Sequence, residues 1–216
     1  MSNVDLIEIV GILTRLESRA SGVWISHLAT TEKLEQLAET PWHDPDLDQY
    51  ANKTRMKEFG AAGMNFKSFI MESLIAGLAS SLETFWIDLR LTTRLKYDIW
   101  KSPLKPAYEH EARIIRCIGN VVKHNQSIIE SSKSEHAKFL VAQAGFPDQI
   151  SLKTLFLSDS PLLKADDLNY SVYLYCLDLI RLDTGFGHPV LSMAEPERRA
   201  RVIQHLVPRV LQLNAT

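Results

Sequence analysis

Phe66, Phe69, Ile70, Leu74, Leu78, Leu82, Phe85 and Leu89 recur at the three- and four-residue steps of an α-helix. No other stretch restricts the fold as strongly. An apolar stripe of this length must be buried along one side of a rod, and other helices are its natural cover. Asn65 is placed to cap the rod, and the pattern runs to about Trp100, roughly 50 Å at 1.5 Å per residue. A bend is expected near Thr92 and Thr93. Ala76, Gly77, Ala79, Ser80 and Ser81 are small, so a neighbouring helix can approach closely there. The chain is read as all-α, an up-down helical bundle.

Pro103 and Pro106 break the chain after this rod. A second helix begins near Ala107 and returns antiparallel, forming a core hairpin with the first. Wound at 100° per residue from Arg113, it carries Arg116 at about 300°, Asn120 at about 340°, Lys123 at about 280° and His124 at about 20°. Val121, Ile114, Ile118, Val122 and Ile115 fill the opposite arc. One face must be buried, and the other presents two guanidiniums, an ammonium, an amide and an imidazole.

Such a stripe is commonly just a solvated face. Two details pull against that reading. Asn is a poor helix-interior residue because its amide competes for backbone hydrogen bonds. Asn120 nevertheless sits mid-helix, one turn before His124, where the two side chains are expected to meet. Asn125 is expected to stop the helix in a left-handed conformation. That puts His124 in the last turn, where a helix dipole favours a cation. Imidazole suits general acid/base work, and arginine suits a phosphate through its fork of donors. Together they fit RNA cleavage without a metal. A base takes the ribose 2′-hydroxyl proton, and cations steady the phosphorane-like transition state. Glu83, on the long helix, is read first as a surface carboxylate and second as a partner of this stripe.

Asn120-x-x-x-His124, after a helix with Arg, resembles the signature of the HEPN superfamily of small α-helical domains. The usual form is Arg-x4–6-His, often Arg-Asn-x-x-x-His. Here the residue before Asn120 is Gly119, and Arg116 lies one turn earlier on the same stripe. The resemblance covers roughly 65–132. It implies an up-down bundle, usually a homodimer with the two motifs facing each other. It also implies either a metal-independent endoribonuclease of toxin–antitoxin or antiviral systems, or a non-catalytic relative that binds RNA, nucleotides or partner proteins. On the first reading His124 is the general base or acid, Arg116 and Lys123 hold phosphate, and Asn120 orients His124 or the substrate. Arg113 adds a further substrate contact. RNA, a second copy of the chain and an antitoxin or regulatory protein are the implied partners, and no cofactor is implied. A third reading is a plain helical interaction protein whose stripe is only solvated.

The rest of the chain sets bounds. With 216 residues, 45% hydrophobic and 23% charged, it reads as one α-helical domain over 1–216. That domain comprises N-terminal helices over 1–60, the HEPN-like hairpin over 61–133 and a helical extension over 134–216. A net charge of −2 restricts any RNA contact to a local patch. Cys117 and Cys176 read as reduced core residues of a cytoplasmic protein. No uninterrupted apolar run reaches a membrane span, and the first residues lack a basic leader. Asp44, Asp46 and Asp48 do not make a calcium loop, because Gln49 and Arg55 stand where glycine and glutamate are required. His110-Glu111 does not make a zinc helix, because Ile114 stands where histidine is required. So no metal site is expected.

Element by element, 4–38 reads as helix, with a break at Gly11 or at Ala20-Ser21-Gly22. His27 there reads as a surface or core residue. Leu47–Phe59 reads as a short helix, followed by a hinge at Gly60–Gly63. Glu135–Ala144 reads as a helix ended by Gly145, and Leu152–Leu157 as a strand or docking segment. Asp166–Asn169 is expected to cap a helix over Tyr170–Asp183 that buries Val172, Tyr173, Cys176, Leu179 and Ile180. Gly185–Pro189 ends that helix, and His188 is a minor candidate for function. A last helix starts at Glu195-Pro196 and runs to about Leu213, kinked at Pro208, with Arg198, Arg199, Arg201 and Arg209 on its solvent side.

Overall fold

The computed structural model describes residues 6–93, 103–158 and 163–206, apart from the side chain of Asp166. The expected continuation to Trp100, the Asp166 cap and the Val207–Leu213 segment with its kink fall outside what is described. The chain is all-α, as expected. Among the described residues it has helices α1 (Leu6–Glu39), α2 (Gln49–Thr93), α3 (Glu109–His124), α4 (Glu135–Ala142), α5 (Leu152–Leu157), α6 (Ala165–Thr184) and α7 (Glu195–Leu206). A two-residue antiparallel bridge, β1 (Ile128–Ile129) with β2 (Ile150–Ser151), ties the chain after α3 to the start of α5.

Two expected breaks are absent. α1 runs unbroken past Gly11 and Gly22, and α2 runs unbroken through Gly60 and Gly63. A helical glycine costs only about 1 kcal/mol relative to alanine. α1 and α2 lie antiparallel along each other, joined by Arg15 to Asp88, Arg19 to Thr84 and Val23 against Gly77. That shared length supports α1 past Gly11 and Gly22, whereas Gly60 and Gly63 have open space around them and α2 continues there at only the small local cost. Thr93 is the last described residue of α2, its hydroxyl donating to the Leu89 carbonyl, so the bend expected near Thr92-Thr93 lies at the edge of the described residues.

The small residues of α2 do what their size allows. A Cβ at Gly77 would meet Val23 of α1 at 2.9 Å, and a Cβ at Gly119 of α3 would meet the Ala79 methyl at 2.5 Å. α2 is therefore pinched between α1 and α3. Ile70, Leu74, Leu78, Leu82, Phe85 and Leu89 are buried, but Phe69 is exposed. An 18-residue window of α2 is long and apolar enough to cross a membrane by composition, with 44% of it buried in the bundle.

α6 is the central rod. Every residue from Leu168 to Ile180 is buried, where one inward face was expected. α1, α2, α3 and α7 all pack on it. It starts at Ala165, earlier than expected, and Gly185 ends it in the left-handed region (φ 77°). Leu152–Leu157 is helix, not strand, capped by the Ser151 hydroxyl accepting from the Thr154 amide. α7 uses two of its arginines for docking. Arg198 donates to the Met193 carbonyl, and Arg199 pairs with Asp167 and lies over the Tyr170 ring. Ala200 is exposed, and Val202 and Leu206 make the buried face.

Candidate phosphate cleft between α3 and α4

α3 buries Ile114, Ile115, Ile118 and Val121 and presents the predicted polar stripe on its other side. Each large aliphatic side chain so buried contributes about 1.5–3 kcal/mol, which fixes the rotation of the stripe. Tyr108 caps the start in the left-handed region (φ 60°), an uncommon conformation for a bulky residue. Asn125 closes the other end at φ −117°, and the left-handed residues are the next two, Gln126 and Ser127. His124 does stand in the last turn.

The five candidate residues separate into two groups. Arg113 and Arg116 line a cleft of about 260 Å³ between α3 and α4, together with Cys117, His136 and Lys138. Asn120, Lys123 and His124 do not line it. The Asn120 amide donates to the Arg116 carbonyl at 3.0 Å. It turns away from His124 because side chains on a helix lean towards its N-terminus. Lys123 pairs with Glu83 of α2 at 3.2 Å, so Glu83 is a partner of the stripe, through the ammonium. His124 is exposed. Arg113 stacks its guanidinium 4.2 Å from the centre of the Phe139 ring, which holds the fork at the cleft wall.

Arg116 is half-buried on a ridge. On its other side a groove of about 300 Å³ is lined by Leu82, Glu83, Trp86, Ile87 and Arg90 of α2. Gly119 explains the departure from the Arg-Asn-x-x-x-His pattern in steric terms. Position 119 is fully packed against Ala79, and no longer side chain fits there while the two helices touch.

Sequence reasoning missed His136. It lies in the first turn of α4, whose cap is Ser134, the hydroxyl accepting from the Ala137 amide. Asn125 at the end of α3 donates its amide to that same hydroxyl at 3.2 Å. The link fastens α4 to α3 beside the stripe. His136 Nδ1 is 3.6 Å from Cys117 Sγ. Burial, with Arg116, His124 and Arg113 nearby, holds this imidazole below its ordinary value, so it is neutral at neutral pH. Burial also pushes the Cys117 thiol up to about 11, which removes it as a nucleophile. Ser134-Glu-His did signal a helix start, but no local pattern announces that this start packs against a basic stripe ten or more residues upstream.

The cleft sets three fixed cations, Arg113, Arg116 and Lys138, against one carboxylate, Glu135. That is a local excess of positive charge on a chain of net charge −2, and it is suited to an anion of phosphate size. Among the described residues no cluster of histidine, cysteine or carboxylate side chains suits a metal. His188, the other histidine singled out, caps the 3₁₀ turn Pro189–Ser192 by accepting from the Val190 amide. It faces a separate cavity whose charges are already paired, Arg181 with Asp178 and Arg198 with Glu195. No known protein family, curated protein or solved structure matches the chain.

Proposed function

We propose that the chain is an RNA-directed protein of the HEPN kind that holds a backbone phosphate in the α3–α4 cleft. One observation carries this reading: Arg113 and Arg116, one turn apart on one helix face, converge with Lys138 on a cleft of phosphate scale. Arginine forks recognise phosphate oxygens in pairs, and stacking on Phe139 preorients one of them. RNA is the proposed ligand and a second copy of the chain the proposed partner. Both cysteines are buried free thiols, which supports a reducing, cytoplasmic setting.

The test is retention of mixed single-stranded RNA on filters as salt is raised. The wild-type chain is expected to bind with a log–log salt slope of several units, and Arg113→Ala/Arg116→Ala to lower that slope by about two phosphates' worth. Equal binding by both proteins would remove the reading.

Metal-independent endonuclease activity is the second reading. The neutral imidazole of His136 in the same cleft favours it. Incubation with RNA in EDTA, followed by analysis for 2′,3′-cyclic phosphate ends, tests it directly.

A further inference from the structure

Resting on the cleavage reading above, we infer that His136, on α4, is the group that takes the proton of the attacking 2′-hydroxyl, in place of His124. Position is the first ground. His136 lines the cleft with Arg113 and Arg116, whereas His124 lies outside it, exposed at the end of α3. A base must be within hydrogen-bond reach of the proton it takes, and the phosphate is held where the guanidiniums are.

Fixation is the second ground. The Asn125–Ser134 bond anchors the first turn of α4, and Cys117 Sγ at 3.6 Å holds Nδ1. When Nδ1–H donates to the sulfur, Nε2 carries the free lone pair that a base needs. The thiol plays the orienting part and keeps its own proton.

Charge is the third ground. The groups facing the ring are Arg113, Arg116 and His124 from α3 and Glu135 and Lys138 from α4. Only Glu135 favours the protonated ring. The balance leaves a neutral imidazole flanked by fixed cations: the imidazole accepts a proton, and the cations accept the phosphorane charge.

The step then balances without a metal or a redox partner. Nε2 of His136 takes the 2′-hydroxyl proton as the 2′ oxygen bonds to phosphorus. The bond from phosphorus to the 5′ oxygen breaks, and that oxygen leaves with a proton from a solvent water at the open mouth of the cleft. The products are a 2′,3′-cyclic phosphate and a 5′-hydroxyl.

The experiment incubates the full chain with mixed single-stranded RNA in EDTA, comparing wild type, His136→Ala, His136→Asn and His124→Ala. Both His136 variants are expected to lose about 100-fold or more of the cleavage rate while retaining RNA on filters. His124→Ala is expected to lose less. The wild-type rate should rise with pH through a midpoint below the ordinary histidine value of about 6.5. In wild-type protein the His136 ring resonance should move when inorganic phosphate is added, which tests the site without any variant.

Retained cleavage in folded His136→Ala, or a phosphate response confined to His124, overturns the assignment alone. RNA binding by wild type with no cleavage overturns the assignment and leaves the phosphate cleft standing. No binding and no cleavage removes both.

Discussion

At the scale of single residues, the stripe on α3 is a set of side chains with different fates. Asn120 and Lys123 share a face with Arg116 and His124, yet one bonds its own backbone and the other a carboxylate on α2. Helical phase states which direction a side chain leaves the axis. It does not state what meets it there. Cys117 makes the same point in chemical terms. It sits between two arginines, a setting that would ordinarily favour thiolate, and burial outweighs them. Cys117 should therefore resist a disulfide reagent such as DTNB at pH 8. Cys176, fully buried and pushed up by that burial, should behave alike, with both thiols reacting only as the chain unfolds. Stoichiometric labelling of native protein would contradict this.

At the scale of elements, two glycines have opposite roles. Gly119 is required by a crossing: its hydrogen faces the Ala79 methyl. Gly119→Ala should destabilise the protein by about 1–3 kcal/mol, seen as a lower urea midpoint. Adding Ala79→Gly should recover part of that loss, because it removes the opposing methyl. Gly60 has open space around it in the middle of α2. Gly60→Ala should stabilise by about 0.5–1 kcal/mol, measured the same way. A hinge at this position would instead make the change neutral or harmful, so the sign reports whether α2 is one rod in solution.

At the scale of the whole molecule, distant parts of the chain meet on α1 and α6. Glu17 of α1 accepts from the Tyr173 hydroxyl of α6 at 3.1 Å and pairs with His205 of α7 at 3.0 Å. The fold also has a pH signature. His136 and His188, in different cavities, are both held below the ordinary histidine value, burial being the leading cause in each. Below pH 6.5 the unfolded chain takes up protons at these sites before the folded chain does, so stability falls as pH drops below that value. Above it both forms are neutral and this contribution is flat. The urea midpoint should therefore decline from pH 7 to pH 5, and His136→Asn with His188→Asn should flatten that decline. An unchanged slope in the double variant would show that other groups set it.

The sequence by itself determined the helical class, the apolar ladder of α2, the rotation of α3 and the close approach at Gly77 and Ala79. These rest on spacing and side-chain size, which are local properties. The tertiary structure alone decided that α1 runs unbroken, that α6 is buried on every side from Leu168 to Ile180, and that His136 joins Arg113 and Arg116 while His124 stays outside. Those outcomes depend on which surfaces meet. A weak local break yields to a long helix partner, and a side chain's surroundings come from elements that no local period encodes.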